Sequence, residues 1–169
     1  MPGNSRPEAL DPVNVSILTA LADNPRIGMS TLARRVGMSA PAVTERVARL
    51  EESGVIRGYR LDVDPAAIGR PVAAWVRVRP GPGQLVKVAE LAAAIPEIVQ
   101  CDRITGEDCF LFKVYVPTVT DLETVLDRFL LFGQTTTSIV QSSPVPPRPL
   151  PLPEGIASDT HSRHADRAR

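Results

Sequence analysis

Apolar residues in the first third of the chain recur at the spacing of a helical face. In residues 40–52 they fall at positions i, i+4 and i+7, which on a helix form one stripe: Val43, Val47 and Leu50. A shorter segment before it carries a second stripe, made of Leu32, Ala33 and Val36. A third stripe comes first in the chain and consists of Val13, Ile17, Leu18 and Leu21. The pattern predicts three helices that share one small core.

Residues that begin and end helices bracket these stripes. Asp11 precedes a proline and is expected to cap the first helix, while Ser30 and Ser39 are expected to cap the second and third. Gly37 is expected to end the second helix in a left-handed conformation. Two helices joined by such a short turn are typical of a helix-turn-helix unit. Residues 55–60 read as a strand, which predicts the winged variant of that unit.

The pattern changes after residue 62, where apolar runs of strand length alternate with helical stripes. The predicted strands span residues 72–78, 98–105, 109–116 and 135–143, and the predicted helices follow the first and third of them. Thr120 is expected to cap the second of these helices, with Glu123 completing a capping box. The order strand, helix, strand, strand, helix, strand predicts a ferredoxin-like βαββαβ domain, an antiparallel sheet with both helices on one face.

The predicted fold class is therefore α+β, with two domains and a tail. A winged helix-turn-helix domain occupies residues 10–62, a hinge residues 63–71 and the ferredoxin-like domain residues 72–145. Residues 146–169 begin with a proline-rich stretch and continue as a polar one, so they are expected to be extended and then disordered.

Charge is distributed unevenly although the net charge is zero. Residues 25–60 carry seven arginines against three acidic residues, a charge of +4, whereas residues 61–145 carry −3. Positive charge on a helix-turn-helix unit favours double-stranded DNA as partner, because neutralised phosphates release counterions. The alternative is an ordinary solvated helix face.

Compartment and membrane association follow from simpler features. No apolar run approaches the roughly 18 residues of a membrane span, and no export signal is recognised, so a cytoplasmic protein without a membrane partner is expected. Cys101 and Cys109 are then expected to be free thiols that behave as small buried hydrophobes.

Nine residues are candidates for DNA contact on this reading. The N-terminal half of a recognition helix reads base edges, arginines reach phosphates or guanine, and a helix N-terminus binds phosphate. For Arg46 an ion pair with Glu45, Asp62 or another acid is a competing role. The nine candidates are Ser30, Thr31, Ser39, Ala42, Thr44, Glu45, Arg46, Arg49 and Arg57.

Three stretches together resemble one protein family. They are residues 10–69 as a whole, residues 104–114 (ITGEDCFLFKV) and residues 132–140 (FGQTTTSIV). Over residues 10–143 the chain is similar to the Lrp/AsnC family of bacterial transcriptional regulators, in which a winged helix-turn-helix precedes a ferredoxin-like sensor domain.

The resemblance implies a regulator that senses an amino acid or related metabolite. Family members pair through their sheets as homodimers, often assemble to octamers, and bind effector between dimers. Asp108 would receive the effector's ammonium, while backbone N–H groups and hydroxyls would receive its carboxyl group. Alternatively, residues 105–109 serve only as a hairpin turn. The implied effector residues are Thr105, Gly106, Glu107, Asp108 and Cys109, faced by Thr136, Thr137 and Ser138.

Two other functions compete with an effector-controlled regulator. One is an architectural DNA-binding protein without an effector. The other is an enzyme, since siroheme decarboxylases resemble this architecture, but such chemistry needs His, Tyr or Arg in the sensor pocket. Both histidines, His161 and His164, lie in the tail instead. We therefore expect no enzyme activity, no metal and no resident cofactor.

Overall fold

The structure, a computed structural model, describes residues 10–153. Within them the chain forms two compact units. Residues 10–61 and 147–153 belong to the first, which we call the helical unit, and residues 62–146 form the second, the sheet unit. Among the described residues no helix is both long and apolar enough to cross a membrane.

Three helices build the helical unit: α1 (Pro12–Asp23), α2 (Met29–Val36) and α3 (Ala40–Glu52). The predicted stripes meet in one core, in which Ile17, Leu32 and Val43 are fully buried. Burying such side chains is the main stabilising term, roughly 1.5–3 kcal/mol for each. The prediction of three helices around one small core is confirmed.

Local hydrogen bonds explain where these helices begin. The side chain of Asp11 accepts from the Asn14 N–H at 2.6 Å, and that of Ser39 accepts from the Ala42 N–H at 3.4 Å, as predicted. The prediction of Ser30 as a cap is wrong. Helix α2 begins at Met29, and the Gly28 carbonyl accepts from the Thr31 and Leu32 N–H groups, both at 2.9 Å.

The turn after α2 is as predicted, but the predicted strand after α3 is absent. Gly37 ends α2 with φ +69°, a conformation that glycine adopts without strain. Residues 55–61 form no strand, and Gly58 interrupts them with φ +144°. The described part of the helical unit offers no second strand to pair with, so this segment lies as extended chain.

The sheet unit contains β1 (Val72–Pro80), α4 (Leu85–Ala94), β2 (Ile98–Arg103), β3 (Phe110–Val116), α5 (Val119–Asp127) and β4 (Gly133–Ile139). Its strands lie in the order β2-β3-β1-β4 and every neighbouring pair is antiparallel. Alternate residues of β1 and β3 are buried against α4 and α5. The ferredoxin-like prediction is confirmed; the opposite side of the sheet, free of these helices, is called the open face below.

Two details of this unit differ from expectation. Helix α5 is capped by Thr118 and not by Thr120, and its capping box uses Asp121 in place of Glu123. The reason is local: Thr118 and Asp121 satisfy each other's backbone N–H groups at 3.0 and 3.2 Å. Strand β4 begins earlier than predicted, at Gly133, and ends at Ile139.

The proline-rich segment runs beside α1 in the helical unit. Residues 147–153 have no regular secondary structure, and together with α1 they line a cavity of about 470 Å³. Its α1 side consists of Val15, Thr19, Ala22 and Asp23. The predicted disorder of the tail, and both histidines, fall on residues 154–169, outside the described residues.

Candidate nucleic-acid and effector sites

Helix α3 presents a polar face directly opposite its buried stripe. At 3.6 residues per turn, Glu45 and Arg49 lie on the side away from Val43 and Val47. Their side chains form an i,i+4 ion pair and remain 63% and 73% exposed. Arg49 is thus a cation on the outer surface of a helix whose other face is fixed in the core.

Arg46 is engaged within the helical unit. Its guanidinium donates to the Asp11 carboxylate at 2.5 Å and to the Asn14 side chain at 3.1 Å, which ties α3 to α1. Burial alone would raise the pKa of Asp11, but the hydrogen bonds from Arg46 and from the Asn14 backbone outweigh it and lower this pKa. The geometry favours an ion-pair role for Arg46, with a partner that was not foreseen.

Thr44 lies on the flank of α3. Its hydroxyl donates to the Ala40 carbonyl at 2.9 Å, and it lines a cavity of about 370 Å³ together with Met29 and Tyr59. The Tyr59 hydroxyl donates to Glu51 at 3.1 Å, and burial together with this carboxylate raises the pKa of Tyr59. This bond holds the extended segment after α3 against the flank on which Thr44 lies.

The remaining DNA candidates sit at exposed helix ends. Ser30 and Thr31 lie exposed in the first turn of α2, and Thr31 accepts a hydrogen bond from Arg34 at 3.3 Å. Ser39 is exposed at the start of α3, where its hydroxyl caps the helix, and Ala42 is half-buried one turn later. Arg57 is exposed beyond α3. Of the nine candidates only Ala42 and Arg46 are half-buried, and the others, Thr44 included, are exposed.

Residues 104–109, here called the acidic loop, connect β2 to β3. The Ile104 N–H donates to the Cys109 carbonyl at 3.0 Å and closes the hairpin. Gly106 has φ +112°, which an L side chain rarely adopts, so this position requires glycine. The loop therefore has the geometry of a tight turn that exposes Glu107 beside Asp108.

Both carboxylates of the loop are paired with arginines of β1. Asp108 lies 3.8 Å from Arg77 and 3.4 Å from Arg79, and Glu107 lies 2.5 Å from Arg79. Sequence reasoning did not include these arginines among the site residues. The available signal was alternation: Arg77 and Arg79 lie two apart, opposite the buried Val76 and Val78, and so share the open face.

The polar residues of β4 are not brought next to the acidic loop. Strand β1 lies between β3 and β4, a separation of about 10 Å at the usual strand spacing. Thr136 is opposite Arg77 and Ser138 opposite Trp75, on the open face, while Thr137 is opposite Val76 and faces the helices. Within one chain, therefore, β1 separates the acidic loop from the polar residues of β4 that were predicted to face it.

The open face also carries a cation between two aromatic rings. The Lys113 ammonium lies 4.5 Å from the ring centroid of Trp75 and 5.5 Å from that of Tyr115. Burial lowers the pKa of Lys113. Trp75 and Tyr115 are only half-buried on this face, and such aromatic side chains are enriched at protein interfaces.

The cysteines differ from expectation in one respect. Both are free, but Cys101 is an exposed residue of β2 and only Cys109 is half-buried. Partial burial of the Cys101 thiol, together with the nearby Asp102, raises the pKa of Cys101. Among the described residues no group of His, Cys, Asp and Glu is arranged to hold a metal ion.

Comparison with known proteins gives matches over most of the chain. A family model for winged helix-turn-helix DNA-binding domains matches residues 10–57, and one for the Lrp/AsnC ligand binding domain matches residues 72–150. The HTH-type transcriptional regulator LrpC of Bacillus subtilis is 30% identical over 79% of this chain and 92% of its own length. LrpA of Mycobacterium tuberculosis is 35% identical over 72% of this chain and 81% of its own.

Solved structures match in the same way. The B. subtilis LrpC structure has a TM-score of 0.76 at 30% identity and covers 79% of this chain and 96% of that one. The feast or famine regulatory protein of M. tuberculosis, complexed with L-methionine, has a TM-score of 0.80 at 31% identity. That match covers 86% of this chain and all of the other.

Proposed function

The chain belongs to the Lrp/AsnC family of DNA-binding transcriptional regulators, and from this premise we propose which surfaces of it act. Operator DNA binds the outer face of α3 and the exposed N-terminal turn of α2. An amino acid bound at the acidic loop changes that DNA binding. The observation that carries the DNA assignment is Arg49, exposed directly opposite the buried stripe of α3.

The contacts divide by their position on the helices. Ser39, Ala42 and Glu45 lie at or near the start of α3, the part of a recognition helix that enters the major groove. Arg49, one turn later, and Arg57 are expected to contact phosphates, because an arginine at the edge of the groove reaches the backbone. The exposed hydroxyls of Ser30 and Thr31, together with the positive end of the α2 helix dipole, are proposed to contact a further phosphate.

The effector assignment rests on chemistry and on one relative. The acidic loop combines carboxylates with a glycine that lets the backbone approach a ligand closely. The related M. tuberculosis regulator was crystallised with L-methionine, which supports an amino acid as effector class here. Because the loop is exposed on a single chain, a second copy is needed to enclose a ligand.

Assembly is proposed to begin with the open face. Trp75, Lys113 and Tyr115 on that face would be covered when two sheets pair, giving a homodimer, and dimers would assemble further, to an octamer. Light scattering gives the mass of the assembly. Since Trp75 is the single tryptophan of the chain, its emission should shift to the red when the dimer is diluted apart.

The decisive experiment is DNA binding by fluorescence anisotropy, with a duplex from upstream of the protein's own gene. Each of the amino acids is added in turn, and binding is measured over a range of salt concentrations. Salt-dependent binding that one amino acid shifts supports both halves of the proposal. Binding that none shifts leaves an architectural DNA-binding role, and absence of specific binding contradicts the DNA assignment itself.

Arg49→Ala locates the interface. It should weaken binding to all sequences about equally and reduce the salt slope by roughly one unit, because one phosphate contact is lost. Arg128→Ala is the matched control, since it removes an exposed arginine from the C-terminal end of α5 in the sheet unit. An unchanged slope in Arg49→Ala would remove Arg49 from the phosphate contacts.

We also propose that the protein acts in the cytoplasm, where a DNA-binding transcriptional regulator meets DNA. The relatives are named as transcriptional regulators, in agreement with a non-enzymatic role.

A further inference from the structure

Two guanidinium groups and two carboxylates form one ion-pair cluster at the acidic loop. Asp108 lies between Arg77 and Arg79, at 3.8 and 3.4 Å, and Arg79 also contacts Glu107 at 2.5 Å. The formal charges of the four groups cancel. A ligand can therefore bind by charge here only if it displaces one member of the cluster or presents both signs itself.

The two carboxylates are held to very different degrees. Asp108 is 25% exposed and touches both arginines, whereas Glu107 is 80% exposed and touches Arg79 alone. An exposed pair with a single partner is weak, because water and salt compete with it. Glu107 is thus the carboxylate that an incoming anion replaces most easily, and Arg79 is the cation that this exchange uncovers.

The neighbourhood of Arg79 suits the rest of an amino acid. Gln134 lies opposite Arg79 on β4, and Thr136 lies opposite Arg77, so polar side chains border the arginines on the open face. Asp108 remains beside Arg79 after Glu107 leaves, and it offers a carboxylate to an ammonium group. An α-amino acid carries its ammonium and its carboxylate on one carbon, which matches a cation and an anion 3.4 Å apart.

We propose that Glu107 occupies the place of the effector's carboxylate in the free protein. An α-amino acid displaces it, pairs its own carboxylate with the fork of the Arg79 guanidinium, and directs its ammonium to Asp108. Arg79 is then a specificity-determining residue that selects ligands with a carboxylate. This inference rests on the proposed effector function and adds the residue that anchors the effector.

The test is calorimetric titration of the full chain with the common L-amino acids, including L-methionine. Glu107→Gln should bind the effective amino acid about threefold more tightly, because the internal competitor loses its charge. Arg79→Gln should bind it at least about tenfold more weakly, and Arg79→Lys should recover part of the loss, since charge returns without the planar fork. Arg103→Gln, which removes an arginine placed over Phe110 and outside the cluster, is the control and should leave affinity unchanged.

A ligand that lacks the carboxylate tests the contact with Arg79 separately from the other contacts. The amide of the effective amino acid, for example L-methioninamide, should bind wild type and Arg79→Gln with equal weakness, since it has no carboxylate for Arg79 to recognise. Circular dichroism confirms that each variant is folded. If Arg79→Gln does not fold, the comparison of acid with amide on wild type and Arg79→Lys carries the test.

The outcomes separate this inference from the function on which it rests. An amino acid that wild type and Arg79→Gln bind equally well overturns the role of Arg79 and leaves the effector function standing. A panel in which neither wild type nor Glu107→Gln binds any amino acid overturns both. Binding by Glu107→Gln alone supports the inference, because it shows that Glu107 blocks the site.

Discussion

Gly133, at the start of β4, is the position where one added methyl group should do most damage to the sheet unit. A Cβ atom there would lie 2.9 Å from the Cα of Pro80 and 3.0 Å from the carbonyl carbon of Arg79, and nearer still to the Arg79 oxygen. These are backbone atoms of β1, so no side-chain rotation relieves the overlap. Gly133→Ala therefore has to push the two strands apart at this end.

The loss in free energy of unfolding follows from the contacts that this displacement of the strands disrupts. Overpacking of this kind costs about 1–3 kcal/mol, and a lost backbone hydrogen bond between β1 and β4 adds about 1 kcal/mol, a total of about 2–4 kcal/mol. For a unit of this size 1 kcal/mol shifts the melting temperature by about 4–8 °C, so a fall of at least about 8 °C is expected. The displaced strand also carries Arg79, so effector affinity should fall as well.

Gly81→Ala is the matched control. It lies at the same end of β1, directly after Pro80, but its Cβ would sit 3.6 Å from the Phe132 carbonyl oxygen and 3.7 Å from the Gln84 side chain, ordinary contact distances. Thermal unfolding followed by the emission of Trp75, in β1, reports the sheet unit selectively. The steric reasoning is refuted if Gly133→Ala and Gly81→Ala both melt within about 2 °C of wild type.

Two further predictions concern the helical unit. Arg46→Ala should lower its stability by about 0.5–1 kcal/mol at pH 7. Because the folded-state pKa of Asp11 is lowered from 3.8, this stabilisation is present above about pH 4 and lost as the pH falls through the folded value, so the difference between wild type and Arg46→Ala should vanish in acid. The contribution of the Arg46–Asp11 pair would be contradicted if urea unfolding gave the same difference in free energy of unfolding between wild type and Arg46→Ala at pH 7 and at pH 2.5. A chain ending at Pro146 should exchange the amide hydrogens of α1 faster, since residues 147–153 no longer cover Val15; unchanged exchange would show that the segment gives α1 no support.

Helix positions, and most of their ends, were predictable because their causes lie within a few residues. The Asp11 and Ser39 caps, the Gly37 turn and the stripe of α3 each depend on spacings of at most about a turn or two. The errors are of the same local kind. Where two residues of one type compete to cap a helix, as Thr118 and Thr120 do, pattern alone does not decide which side chain reaches the free N–H.

The predicted strand after α3 failed for a different reason. A strand needs a partner to satisfy its backbone groups, and a sequence of alternating residues does not reveal whether the fold supplies one. In the helical unit Val55 and Ile56 instead pack by their side chains against the core, and the Tyr59 hydroxyl donates to Glu51. The family-level identification survived this error because it depended on the helices and on the order of elements, which were correct.

The sequence alone determined the class of this protein: three helices with an exposed basic face and a βαββαβ order, which with the resemblance to the Lrp/AsnC family indicate a DNA-binding regulator with a sensor domain. Only the tertiary structure decided which charges act together. Arg46 meets Asp11 across 35 positions, and Arg79 meets Asp108 across 29. Helix and strand formation is read from neighbours in the chain, whereas an ion pair depends on where distant elements pack, and that is set by the buried cores as a whole.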